Sequence, residues 1–186
     1  MGYAHPMRSL AKAALLVSLA LVASVPRSAG ADAAASPLRR GLAELEASKY
    51  DDAERSLRDV KGEGEPLAKA ALAELLVTRG KYEDADRLAA TVGGSAAAKA
   101  TATLVRARAL AAVGKRADAA RLLEGQKGSA GVEGRRIRLM LGELLLQLGK
   151  HAEAEPVLMT LIADFNSDAI VATDAEGLAL AGRAAH

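Results

Sequence analysis

Residues 79–88 read Arg79-Gly80-Lys81-Tyr82-Glu83-Asp84-Ala85-Asp86-Arg87-Leu88: a glycine, a lysine, an aromatic ring, two acids and an alanine. Nearly the same phrase stands at Ser48-Lys49-Tyr50-Asp51-Asp52-Ala53, at Gly114-Lys115-Arg116-Ala117-Asp118-Ala119 and at Gly149-Lys150-His151-Ala152-Glu153-Ala154. The steps between these phrases are 32, 34 and 35 residues. Self-similarity at such a period predicts a stacked array of small supersecondary units, each too small to bury its apolar face alone.

Each phrase follows an apolar stretch with a small residue seven positions before the glycine: Ala73, Ala107 and Gly142. Leu76, Leu110 and Leu145 come three residues after the small positions. Beyond the turn, Ala85, Ala119 and Ala154 are each followed four residues later by Ala89, Leu123 or Leu158. Spacings of three and four put such residues on one helical face, so the pattern predicts a helix A, a glycine turn and a helix B. Glycine-rich segments at 62–66, 93–95 and 125–134 are expected to separate the units.

This pattern of a small residue in helix A, a turn and alanine-x-x-x-large in helix B resembles the tetratricopeptide repeat family. Leu141-Gly142-x-x-Leu145 with Ala154-x-x-x-Leu158 carries the likeness best, followed by Leu72-Ala73-x-x-Leu76 with Ala85-x-x-x-Ala89. Arg106-Ala107-x-x-Leu110 with Ala119-x-x-x-Leu123 has a polar residue at one apolar site. In the first unit Leu42 and Leu45 fall out of register, although Ala53-x-x-x-Leu57 is intact. The family's tryptophan is missing, and other helical-hairpin solenoids remain an alternative. The expected fold class is all-α, an α-α superhelix of antiparallel helix pairs over residues 32–186, with about four repeats. Asp174 to His186 reads as a further helix A with Gly182 as its small residue. That suggests the front of a longer array, with a docked capping helix as the alternative.

Composition agrees with an all-helical chain. The 186 residues include no Trp, one Phe, three Tyr and no Cys, so disulfides and thiolate metal sites are excluded. Arg8 and Lys12 precede an apolar run from Ala13 to Val25, then Pro26 breaks it and Ala29-Gly30-Ala31 supplies a small-x-small cleavage pattern. This is the layout of a signal peptide over residues 1–31, with Asp32 the first mature residue and an exported, periplasmic or secreted location. The alternatives are an uncleaved anchor or an amphipathic helix, but the run is shorter than the ~20 residues of a spanning helix. No stable membrane span is expected after cleavage, and the absence of cysteine excludes a lipoprotein anchor. Removing the segment leaves 22 bases against 23 acids, so the sequence does not indicate nucleic-acid binding.

No catalytic, cofactor-binding or metal-ligating constellation is legible. His151 stands where Tyr82 stands in the second unit, so packing explains it, and no clustered ligands accompany it. Asp51/Asp52 and Glu83/Asp84 fall in the first turn of helix B, where negative charge favours the helix terminus. Lys99 to Arg138 holds ten bases against three acids, and Leu139 to His186 holds two bases against seven. The basic band could attract an anionic partner, or could be a solvated face partly neutralised by the neighbouring turn.

The tetratricopeptide likeness implies a concave face lined by helix A. Partner-binding residues are therefore expected at Glu74, Thr78, Arg108, Arg136, Glu143 and Gln147, with Ala112 in the same row as Thr78 and Gln147. The implied function is an envelope scaffold that binds another protein or peptide, without cofactor or enzymatic activity. Two alternatives are a recognition or spacer region of a longer exported enzyme, for example a zinc peptidase, and a structural spacer that binds nothing specifically.

Overall fold

The computed structural model describes residues 36–166 and 174–185, and all the regular structure among them is helical. The expected signal segment, with Ala29 and Ala31, lies outside the described residues, as does His186. In chain order the α-helices are α1 (Pro37–Glu46), α2 (Tyr50–Arg58), α3 (Glu65–Thr78), α4 (Tyr82–Ala90) and α5 (Ala96–Ala112). They continue with α6 (Arg116–Glu124), α7 (Gly131–Gln147), α8 (His151–Asn166) and α9 (Ala175–Ala184). A 3-10 turn, Gly62–Gly64, leads into α3.

The repeated phrase builds the same turn four times. Ser48, Gly80, Gly114 and Gly149 adopt left-handed φ values of 57°, 72°, 84° and 73°. The following lysine N–H then reaches back to the preceding helix: Lys49 to the Glu44 carbonyl at 2.8 Å, and Lys81 to Leu76, Lys115 to Leu110 and Lys150 to Leu145 at 2.9 Å each. This doubly bonded C-terminal motif satisfies carbonyls that the ending helix leaves free. The lysine is then the N-cap of α2, α4 and α6, and acids follow in the first turn of each.

The turn fixes which residues face one another within a hairpin. A position in the first helix and one sixteen residues later in the second form the contact: Gly41 with Leu57, Ala73 with Ala89, Ala107 with Leu123 and Gly142 with Leu158. A Cβ added to Gly41 would stand 2.6 Å from Leu57 Cγ, and one added to Gly142 would collide with the Leu158 side chain. Thus the first unit is a full hairpin whose small residue is Gly41, while Leu42 and Leu45 still pack inward one position out of step. The alanines expected at the hairpin contact, Ala53, Ala85, Ala119 and Ala154, are wholly buried. Of the expected leucines, Leu145 is buried, whereas Leu76 and Leu110 are half-buried and Leu75 lies deeper.

Successive helices pack against each other throughout, and the odd-numbered helices also pack in sequence: α1 on α3, α3 on α5, α5 on α7 and α7 on α9. Even-numbered helices hardly touch one another. The largest core lies between α5, α6, α7 and α8, around Leu104, Leu123, Ile137, Leu141, Leu144 and Leu145. One linker is shorter than the glycine spacing predicts. α7 already begins at Gly131, and Gly134 lies inside it because the Ser129 carbonyl occupies the space a side chain would need. Arg138, one turn further, donates to the same Ser129 carbonyl at 3.2 Å and to that of Lys127 at 3.3 Å, pinning the linker to α7.

Candidate functional site

The residue after each small position falls on the face formed by the odd-numbered helices: Glu74, Arg108, Glu143 and, in α9, Arg183. Their charges alternate along the array, and the helices bring them together in couples. Arg108 donates to Glu74 at 2.5 Å between α5 and α3, and Arg183 pairs with Glu143 between α9 and α7. Arg136 pairs with Glu176 across the same α7–α9 boundary. Four of the expected partner-binding residues (Glu74, Arg108, Arg136 and Glu143) are therefore half-buried members of bridges between units. Neutralised in this way, they join neighbouring helices instead of presenting isolated charge to a ligand.

The remaining expected residues stand one turn further along. Thr78 and Gln147 are exposed, and so is Ala112, their counterpart on α5. The Thr78 hydroxyl turns back to donate to the Glu74 carbonyl at 3.1 Å, which leaves its methyl group outward on the helix. Leu146 and Val113 are exposed beside this row. This row of the odd-helix face thus consists of small, uncharged and aliphatic groups.

The end of the basic band also pairs with the acidic segment after it. Arg135 pairs with Asp174, Arg136 with Glu176, and Arg138 donates to Asp164 at 2.8 Å. Earlier in the chain Arg106 donates to Asp86 on α4 at 2.8 Å, and Arg79 bonds Glu54 at 2.6 Å and also pairs with Asp51 on α2. The polar residue that interrupts the apolar pattern at Arg106 therefore ties its unit to the preceding one.

Sequence reasoning missed Arg79, Arg135, Asp174 and Glu176. A signal existed for two of them. Arg79 stands where the later units have Val113 and Leu148, and Arg135 stands where α5 has the buried Ala100. A charge at an apolar phase of the repeat requires a buried partner, since an unpaired one is strongly unfavourable. The identity of that partner is not periodic, and so it is invisible in the sequence.

A cleft of about 540 Å³ opens between α6 and α8, floored by Leu145 and Val157. Its charged rim is already paired, Lys127 with Glu124 and Arg138 with Asp164, so it offers little free polarity to a ligand. Among the described residues no cluster of three or more His, Asp or Glu could hold a metal ion. Among them, too, no helix is long and apolar enough to cross a membrane. Compared with known proteins, the chain matches no family model, no curated sequence and no solved structure.

Proposed function

We propose that this chain is an exported, tetratricopeptide-like scaffold that binds an extended protein segment along its odd-numbered helices. The observation that carries the reading is the asymmetry of packing: odd-numbered helices touch in sequence while even-numbered helices fan apart. Stacked hairpins with one edge closer than the other curve toward the close edge, giving an inner face of the kind repeat arrays use for binding. The open row on that face, Thr78, Ala112, Leu146 and Gln147, suits a peptide with small or apolar side chains whose backbone can bond to Gln147. Charge would contribute little, because Arg108 and Glu143 are already bridged. The export signal read in residues 1–31 supports an envelope location.

The test is site-specific photo-crosslinking in cells that express the full chain. A crosslinker at Ala112 or Gln147 should give discrete adducts, and one at Arg121, on the exposed side of α6, should give far fewer. Equal adducts from both faces, or none from Ala112 and Gln147, would leave the chain as a spacer between other parts.

A further inference from the structure

We infer that the outward face of α8, with the cleft between α6 and α8, is a contact surface for a second copy of this chain. The inference is independent of the open row, which lies on the odd-numbered helices. It starts from a repeat that stops. Four and seven residues after the turn residue, the first three units carry an acid and an arginine: Asp52 and Arg55, Asp84 and Arg87, Asp118 and Arg121. Each couple forms an ion pair on the outward face of its helix, with every arginine 78% exposed. The fourth unit has Glu153 and Pro156 at these positions, and Glu153 pairs back with Lys150.

Proline inside α8 has no N–H to give to the Ala152 carbonyl, so it weakens the helix that holds it. Pro156 is exposed, and packing within the chain returns little for that loss. With Ala152, Met159 and Ala163, at helical spacing, it forms an uncharged ridge about three turns long. Met159, the largest side chain of the ridge, is 52% exposed. The cleft runs along one side of this ridge, lined by Ala152, Pro156, Val157 and Thr160 of α8 and floored by Leu145.

A ridge beside a cleft is complementary to itself. A twofold axis between them sets Met159 of each copy over the cleft of the other, so that every contact is made twice. The flexible thioether of methionine suits such a space. Charge selects the same occupant. At the rim Lys127 is paired with Glu124, Lys150 with Glu153 and Arg138 with Asp164, so the cleft calls for no oppositely charged partner and does not repel its own copy. Glu155 is exposed and lies off the cleft lining, where it keeps its water. A bilayer is a poor occupant, because α8 holds Glu153, Glu155 and Asp164 with neither lysine nor arginine, and anionic headgroups repel such a helix. The patch is small, so the dimer is a reversible one.

The purified full chain provides the test. Sedimentation velocity should show a monomer that passes to a dimer as concentration rises about a hundredfold. Met159→Lys should weaken the dimer about tenfold or more, by placing a charge in an apolar contact. Pro156→Arg, which restores the missing acid–arginine couple, should weaken it likewise while melting no lower than the parent. Glu83→Lys, on the outward face of α4, should leave it unchanged. Because the contact is apolar, an increase of about tenfold in salt should shift the association less than about threefold. The chain has no cysteine, so Thr160→Cys gives a unique thiol where ridge and cleft meet. A short bismaleimide should join two copies there, and should not do so in a chain with Glu83→Cys. Such self-adducts have the mass of two chains, which separates them from adducts with another protein. A chain that stays monomeric, equal cross-linking at both positions, an association untouched by both α8 substitutions, or recruitment of α8 to phosphatidylglycerol vesicles would each overturn the proposal.

Discussion

Gly41 and Leu57 occupy one space: the Cβ that Gly41 lacks would stand 2.6 Å from Leu57 Cγ and 3.2 Å from the Leu57 amide nitrogen. The two helices of the first hairpin therefore approach so closely that one of the pair must be without a side chain. The second hairpin solves the same problem with two alanines, Ala73 and Ala89.

Gly41→Val should consequently destabilise the first hairpin by ~1–3 kcal/mol through overpacking. Adding Leu57→Ala should recover part of the loss, giving a coupling of about 0.5–3 kcal/mol between the two sites. Urea unfolding of the two single variants and the double variant measures it. Strict additivity would mean that the two residues do not share the space assigned to them.

Ser48 is the one non-glycine among the described residues with a positive φ, at 57°, and it fills the turn position that glycine holds in the other three units. A left-handed L-residue is disfavoured by ~1–2 kcal/mol, partly offset here by the greater freedom of glycine in the unfolded chain. Ser48→Gly should therefore stabilise by about 0.5–1 kcal/mol, and Gly114→Ala should destabilise by ~1 kcal/mol or slightly more. Thermal midpoints that move in the opposite directions would contradict the turn geometry.

Leu145 is buried in the largest core, between α7 and its neighbours. Leu145→Ala should cost ~2–5 kcal/mol by opening a cavity. Ala119→Leu, at a wholly buried position, should cost ~1–3 kcal/mol by overfilling the α5–α6 contact. Because repeat arrays can unfold in parts, local hydrogen exchange should accompany the melting curves.

The couple Glu74–Arg108 makes a different prediction about Arg108 from the one its place on the face suggests. Arg108→Glu should weaken the α3–α5 contact by about 1 kcal/mol, and the exchange Glu74→Arg with Arg108→Glu should restore most of it. Peptide binding to the open row should change less than stability does. A loss of binding at unchanged stability would return Arg108 to the role of ligand contact.

Glu65, in the first turn of α3, is held below the usual carboxylate range, first by the hydrogen bond from Lys69 and then by the lysine's charge. A lowered folded-state pKa means that this contribution is complete above the ordinary glutamate range near pH 4.5 and fades as pH falls through the lower folded value. Carboxyl NMR should show Glu65 titrating below the ordinary glutamate value of 4.5, and Lys69→Met should move it back upward. An unchanged midpoint would remove Lys69 as the cause.

What the sequence determined by itself was everything that recurs. The hairpin turns at Gly80, Gly114 and Gly149, the buried alanines at 53, 85, 119 and 154, and the all-helical class follow from chemistry repeated at fixed spacing. A left-handed turn selects glycine, and a close helix crossing selects a small side chain, in every unit alike. The row Thr78, Ala112 and Gln147 was legible for the same reason, since exposure on a helix face depends on phase. Tertiary structure alone decided which charges meet. Glu74 and Arg108 are 34 residues apart, and Arg136 and Glu176 are 40. Nothing local connects either pair, because a long charged side chain can turn to solvent or to any of several neighbours. Only the packing of α3 on α5 and of α7 on α9 brings these charges within reach, converting residues that read as a binding face into the joints between its units.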